Sequence, residues 1–282
     1  MSDSVIHDIG YQRYTGPRLG GAYAARSLYG LGLRTAFGIG RGAKAKIFPW
    51  IVVAIMFGVA VVVTAVRAQA GIKLMDYLSF PGNLGLVLLL FCAVVAPELV
   101  SRDLRSGVLP LYFSRPLTRA GYAMAKLGAL VSALWLLMAG PLLLMFIGGA
   151  FTVKGASKVW HEWTDFLPAL AHAGIYAVVY GSLSLLIASL VGRRAVAAAV
   201  IVAVFLVTTP ILGVLVVIGG EVGRQLAFLV SPLTLVDGLG NWLFGMKNLD
   251  IGDFGAVYLA AVVALVTACV MLLLERYRKV AR

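Results

Sequence analysis

Charge is scarce in this sequence. Asp, Glu, Lys and Arg make up 13% of its 282 residues, about half the share of an ordinary soluble domain. Hydrophobic residues make up 61%, and the mean hydropathy is +0.96. A soluble fold of this length would have too little polar surface to cover itself. The scarcity of charge excludes an ordinary soluble domain and indicates that most of the chain lies in lipid.

Catalytic and metal-binding motifs are also missing. The sequence has no GxxxxGK[ST] phosphate loop, no GxSxG nucleophile elbow and no HExxH, the last because HEWTD at 161–165 lacks a second histidine. Only two cysteines occur, Cys92 and Cys269, both within apolar runs, where a free thiol acts as a small hydrophobe. We expect no metal site, no bound cofactor and no catalysis by this chain alone. Any uphill transport would take its energy from a partner.

Six uncharged runs dominate the sequence. They are Ile47–Val66, Tyr77–Pro97, Leu127–Val153, Phe166–Gly192, Ala195–Gly220 and Phe254–Leu274. A helix needs roughly 20 residues to cross the hydrocarbon core, so each run can span once. Lipid cannot satisfy free backbone groups, and no run alternates as a barrel strand does. We predict an all-α integral membrane protein, with a segment 1–46 followed by six spans in 47–282, at about 47–66, 77–100, 127–151, 168–191, 196–218 and 254–274.

Basic residues are distributed unevenly between the two sets of loops. Of the 24 Lys and Arg residues, 18 lie in 1–46, 98–126, 193–194 and 275–282. Basic loops stay in the cytoplasm, so both termini and the 98–126 segment are predicted to be cytoplasmic. The formal net charge of +12 then reflects orientation and attraction to anionic lipid headgroups, and it favours membrane lipid over nucleic acid as a partner.

The N-terminal segment has the pattern of an amphipathic helix. From Leu19 to about Phe37 an apolar stripe of Ala24, Leu28, Leu31 and Thr35 recurs at helical spacing, and arginines fall roughly opposite. Such a helix would lie on the inner leaflet. The alternative is a disordered basic arm.

The connection 221–253 is unusual for an outer loop. It contains QLAFLVSPLTLVDGLGNWLFG, which is too apolar for a solvated loop and too interrupted by Pro and Gly for a span. Short helices that dip part-way into the outer leaflet fit this pattern. Phe228, Leu229 and Trp242 are therefore candidates for an outer gate, and the alternative is a passive cap.

The predicted spans contain few polar groups. His172 is interpreted as a hydrogen-bonded packing residue, and no proton or sodium path is apparent. The hydroxyls of Ser132, Thr208 and Thr209 are the candidate substrate path. An apolar or amphipathic substrate suits such a path better than a sugar or an ion.

Charge is concentrated between Pro97 and Leu127, in PELVSRDLRSGVLPLYFSRPLTRAGYAMAKL. Gly107 and Pro110 break the helix, and Pro116 suits the start of the next one. The segment is predicted to form a hairpin with an apolar tip at 109–113, a surface that would suit a docking partner. The candidate docking residues are Glu98, Arg102, Asp103, Arg105, Gly107, Leu109, Leu111, Tyr112, Phe113, Pro116, Arg119 and Lys126. The alternative is a solvated basic hairpin.

This segment resembles the loop between spans two and three in permeases of type 2 ABC exporters. That loop has a Glu at its start, a stretch ending Ser/Ala-Gly-Thr/Val-Leu, then Ser/Thr-x-Pro-x-Ser/Thr-Arg and a Lys. The residues that match in order are Glu98, Ser106, Gly107, Val108, Leu109, Ser114, Pro116, Thr118, Arg119 and Lys126. The predicted layout, from the N-terminal amphipathic helix to the basic tail, is similar as well.

The resemblance implies a transmembrane permease in the inner (plasma) membrane of a prokaryote. Two such permeases pair, as copies or paralogues, and the hairpin of each sits in a cleft on a separate cytoplasmic ABC ATPase subunit. ATP and Mg²⁺ would be bound by that partner, whose closure pushes the hairpins. The chain itself would not be an enzyme.

Two other functions remain open from the residues alone. The chain could be a membrane anchor that recruits a cytoplasmic enzyme, or an enzyme acting on lipid headgroups. A neighbouring gene for a P-loop ATPase would favour the exporter, and a reactive pair of acids would have favoured the enzyme.

Overall fold

The fold is helical, as predicted. A computed structural model of the chain describes residues 16, 19–105, 107, 112, 117–153 and 155–280, except the side chains of 102, 104, 105 and 280. Helix accounts for 83% of the structure, and no described residue lies in a strand. The helices are α1 (Gly21–Ala36), α2 (Ala43–Ala70), α3 (Phe80–Asn83), α4 (Gly85–Arg105), α5 (Arg119–Thr152), α6 (Ala156–Leu190), α7 (Arg194–Ile218), α8 (Gly220–Ala227), α9 (Pro232–Phe244) and α10 (Gly255–Val280).

Five of these helices, α2, α5, α6, α7 and α10, are long and apolar enough to cross a membrane. They coincide with the predicted first, third, fourth, fifth and sixth spans. The chain is therefore consistent with a multi-pass membrane protein. Two helices begin at a side-chain N-cap: Thr118 accepts a hydrogen bond from the Gly121 N–H at the start of α5, and Ser231 accepts one from the Leu233 N–H at the start of α9.

The predicted second span, 77–100, is divided. A four-residue helix, α3, precedes α4, and the apolar part of α4 is Gly85–Ser101, which is shorter than a full crossing requires. Pro81, Gly82 and Gly85 are poor residues for a continuous helix interior. The break also faces a carboxylate of α9, since an atom at the Cβ position of Gly82 would lie 2.6 Å from Asp237 Oδ1.

Helix α6 is the centre of the bundle. In its most apolar window 78% of residues are buried, against 11% in α7. It packs against α4, α5, α9 and α10, while α2 packs on α5. The largest buried side chains are aromatic, and three of them, Tyr176, Tyr180 and Phe205, form a row of ring contacts between α6 and α7.

Helix α1 packs on α5 and α4 through a face that differs from the predicted stripe. Leu28, Gly32 and Ala36 are buried, whereas Leu31 is exposed. The Tyr29 hydroxyl also donates a hydrogen bond to Ser132 Oγ of α5 at 2.9 Å. A helix is present within the predicted range 19–37, at Gly21–Ala36, and the stripe predicted to face the inner leaflet stays a prediction.

The connection 221–253 contains two short helices, as predicted. Helices α8 and α9 are bent by 103° relative to each other, and the bend precedes Pro232. Gly245, with φ of 66°, ends α9 in the left-handed conformation that glycine adopts without strain. The pair packs against α7 and α10.

Candidate functional site

The end of the bundle that carries the charged segment, here the hairpin end, contains two ionic clusters. The first surrounds Glu98, which is buried near the end of α4. Arg41, in the turn after α1, and Arg194, the first residue of α7, each pair with one of its carboxylate oxygens. A buried carboxylate needs such partners because the loss of hydration is costly. Glu98 therefore connects α4 with the end of α1 and the start of α7.

The second cluster is centred on Asp103, about one and a half turns further along α4. Its Oδ2 accepts a hydrogen bond from the Tyr122 hydroxyl at 2.7 Å and lies 2.8 Å from Lys126 Nζ. Lys126 is buried, and its ammonium lies 5.5 Å from the centre of the Tyr122 ring. Since Tyr122 and Lys126 are four residues apart, they share one face of α5. Asp103 therefore joins the end of α4 to the start of α5.

Aromatic rings and backbone hydrogen bonds complete this end of the bundle. The Tyr122 ring lies 5.1 Å from that of Tyr277 on α10 and 5.6 Å from that of Tyr112. Arg119 donates a hydrogen bond to the Arg278 carbonyl at 3.0 Å, and Ser101 to the Ala188 carbonyl at 3.0 Å. The end of α4 and the start of α5 are thus attached to α6, α7 and α10. The hairpin-end network is defined as Arg41, Glu98, Asp103, Tyr122, Lys126 and Arg194.

The predicted hairpin residues fall into two groups. Glu98, Asp103, Arg119 and Lys126 come together at the base, as just described, and Gly107 adopts a left-handed turn with φ of 64°. Tyr112, predicted for the exposed tip, is half-buried against Tyr122. The remaining predicted positions lie outside the described residues or have side chains outside them: Arg102, Arg105, Leu109, Leu111, Phe113 and Pro116.

The three hydroxyls of the predicted substrate path have different neighbours. Ser132 accepts the hydrogen bond from Tyr29 of α1. Thr208 donates to the Phe205 carbonyl at 2.7 Å and also contacts Ser231 Oγ at 3.1 Å. Thr209 is exposed on the surface of α7. These contacts attach α1 to α5 and α7 to the start of α9, and they do not gather the three hydroxyls on one surface.

The predicted outer gate residues lie at the two ends of α9. Phe228 and Leu229 are half-buried in the bend before α9 and pack against the core. The Phe228 carbonyl accepts a hydrogen bond from Thr234 Oγ1 at 2.9 Å. Trp242 is half exposed at the other end of α9 and lies close to Gly255, the first residue of α10.

A third ionic cluster lies at the end opposite the hairpin (the far end), and no sequence motif points to it. Arg67 of α2 forms a bidentate salt bridge with Glu162 of α6. The Tyr77 hydroxyl donates a hydrogen bond to Glu162 Oε2 at 2.5 Å. In the sequence Arg67 and Glu162 fall in separate outer loops. Their opposite charges are visible there, but their proximity is not.

Gly149 makes this far-end cluster possible. An atom at its Cβ position would lie 2.6 Å from the Tyr77 hydroxyl, 2.8 Å from an Arg67 nitrogen and 2.9 Å from Glu162 Oε2. Gly149→Ala is therefore expected to lower stability by about 1–3 kcal/mol, as overpacking of a close contact does. Thermal unfolding in lipid nanodiscs would measure the change. Gly58→Ala, on α2 with nothing within 4 Å of the added atom, is the matched control and should be neutral; equal shifts would contradict the prediction.

No group of three or more His, Cys, Asp or Glu side chains suited to a metal ion occurs among the described residues. A scan of the sequence against protein-family models finds no match, and a search of curated proteins finds none either. Function must therefore be inferred from the residues and their geometry.

Proposed function

We propose that this chain is the transmembrane permease subunit of an ATP-driven exporter of the type 2 ABC class. In this proposal α2, α3–α4, α5, α6, α7 and α10 are the six spans, α1 lies at the inner interface and α8–α9 re-enter the outer leaflet. The hairpin end and both termini face the cytoplasm, in the inner membrane of a prokaryote.

The observation that carries the proposal is the attachment of the 106–116 hairpin at both of its bases. Glu98 and Asp103 precede it, Arg119 and Lys126 follow it, and all four are paired or hydrogen-bonded to other elements. Coupling between distant sites is carried by packed and ion-paired contacts. A force applied to the hairpin would reach α7 through Arg194 and the end of α1 through Arg41. A solvated loop needs no such attachment.

A separate ABC ATPase, binding ATP and Mg²⁺, would apply that force. A second permease, copy or paralogue, would complete the transporter. The path suits an apolar or amphipathic molecule, since the spans offer few polar groups other than hydroxyls. Co-expression with a P-loop ATPase encoded beside this gene tests the proposal: the two proteins should co-purify, and ATP hydrolysis should be faster in the complex reconstituted in lipid. An ATPase that neither binds nor responds would contradict it.

The orientation gives a second prediction. Single cysteines placed at Ser2 and Arg282 should be protected from impermeant thiol reagents in intact cells, while one at Lys158 should be labelled, because 18 of the 24 basic residues lie on the proposed cytoplasmic side. All three should label after the cells are opened. Labelling of either terminus in intact cells would reverse the orientation.

A further inference from the structure

A cavity of about 650 Å³ lies at the far end of the bundle and is partly open to the surroundings. Three segments form its walls: the connection 73–79 between α2 and α3, the third and fourth turns of α6, and residues 243–248 at and after the end of α9. Its volume is that of a small-molecule site. The cavity is separate from the hairpin-end network, and of the far-end ionic cluster only Tyr77 belongs to its walls.

The walls of this far-end cavity are fixed by contacts within the protein. His172 of α6 lies with Nδ1 3.1 Å from the Leu78 carbonyl of the first wall. The Phe244 ring of the third wall lies 5.6 Å from the same imidazole, so one side chain connects all three walls. The segment after α9 is held in turn by a hydrogen bond from Asn241 to the Leu249 carbonyl. The cavity is therefore preformed, which reduces the ordering that a ligand must pay for.

Two opposite charges in the cavity are not neutralised by the protein. Lys73 is paired with Asp76 at 2.8 Å. Lys247, on the third wall, forms no ion pair among the described residues. The partner of Asp165, on α6, is the imidazole of His161 at 3.4 Å, which offsets the carboxylate only when protonated. The cavity therefore presents one uncompensated cation and one uncompensated anion, on different walls.

Proline supplies a backbone acceptor beside this anion. Pro168 lies inside α6, and because it has no N–H, the helical hydrogen bond from residue 168 to the Thr164 carbonyl is missing. Thr164, Asp165 and Pro168 all line the cavity. The α6 wall thus combines a carboxylate with a carbonyl that lacks its helical donor, and together they can accept hydrogen bonds from an ammonium group, which has three donors.

Exposed tryptophans indicate the depth of the cavity. Trp163 and Trp242 directly precede the lining residues Thr164 and Leu243, and they are 39% and 49% exposed. Tryptophan is enriched where a membrane meets water, at the level of the lipid headgroups. Headgroups are therefore the polar molecules that this cavity meets at the highest local concentration.

We propose that the far-end cavity binds the zwitterionic head of a phospholipid with a primary amine, of the phosphoethanolamine type. The phosphate contacts Lys247, and the ammonium donates hydrogen bonds to Asp165 and to the Thr164 carbonyl. A purely anionic head places a like charge beside Asp165, and a purely cationic head places one beside Lys247, so the two charges select a zwitterion. The site requires a chain that lies in a membrane, and it does not depend on the proposed hairpin or ATPase.

Lipid retention measured by native mass spectrometry tests the site. The full-length protein is released from nanodiscs that contain equal amounts of phosphatidylethanolamine and phosphatidylglycerol with identical acyl chains. The wild-type protein should retain the ethanolamine lipid preferentially. Asp165→Asn should reduce that preference by about tenfold, the effect of losing one charge-assisted hydrogen bond. Lys247→Met should reduce the retention of both lipids, since both carry the phosphate.

Matched controls are available outside the cavity. Asp253→Asn and Lys158→Met change exposed residues that do not line it, and both should leave the lipid ratio and the retention unchanged. Equal retention of the two lipids by the wild type, or a preference that Asp165→Asn does not reduce, would overturn the site. Water-soluble glycerophosphoethanolamine should not displace the retained lipid, and displacement by it would overturn the assignment to a lipid.

Discussion

Asp103→Ala is expected to lower the free energy of unfolding by about 3 kcal/mol or more. The substitution leaves the ammonium of Lys126 buried without its counter-ion and deprives the Tyr122 hydroxyl of its acceptor. Removing one partner of a buried pair is costly because the remaining charge is not hydrated. Chemical or thermal unfolding in nanodiscs would measure the loss, together with the yield of folded protein.

Replacing both partners should recover much of that loss. In Asp103→Leu combined with Lys126→Met, no charge is left buried, and apolar side chains of similar volume often match or exceed the stability of the pair they replace. Asp76→Ala is the control, since Asp76 pairs with Lys73 at 2.8 Å in an exposed position, and such pairs contribute about 0–1 kcal/mol. Equal losses for Asp103→Ala and Asp76→Ala would show that the hairpin base is not a buried ionic cluster.

The second large effect is expected at the tip of the hairpin. Leu111→Ala combined with Phe113→Ala should weaken binding of the ATPase by about 30-fold or more, since the loss of even one apolar anchor at an interface centre costs about 2 kcal/mol. The permease should still insert and fold. Quantitative pull-down of the ATPase from the reconstituted complex would measure the change.

The choice of residues and of the control separates weaker binding from weaker packing. Tyr112 is left intact because its ring packs against Tyr122, so its loss would combine weaker binding with weaker packing. Arg115→Ala is the matched control at the rim, where a single charge contributes about 0–1 kcal/mol. A double variant that binds as tightly as the control would indicate a solvated hairpin.

The long spans can be predicted from hydropathy because lipid demands an uninterrupted apolar helix. The predicted span at 77–100 shows the limit of that inference. Composition alone does not reveal that Gly82 and Gly85 face oxygens of Asp237 and Tyr180, and it is this tertiary contact that accompanies the break. Asp237 falls in an outer connection of the sequence, so hydropathy gives no sign that its carboxylate reaches α6.

The position of the candidate site can be predicted from the sequence, but the ion-pair partners of its residues cannot. Glu98 and Lys126 stand out in the charged segment, yet nothing local in the sequence indicates Arg41 or Arg194 as the partners of Glu98. His172, Tyr176, Tyr180 and Ser184 of α6 are different, because their spacing of four residues is visible in the sequence itself. That spacing does not distinguish a special role from packing, since each tyrosine considered singly resembles an ordinary core aromatic.

Site-specific photo-cross-linking tests the central claim most directly. A benzoylphenylalanine placed at Phe113 should, on irradiation of the reconstituted complex, give an adduct with the combined mass of permease and ATPase. The same group at Trp160, on the proposed outer side and largely exposed, should give none. A complex that co-purifies with no adduct from position 113, or with equal adducts from both positions, would contradict coupling through this hairpin.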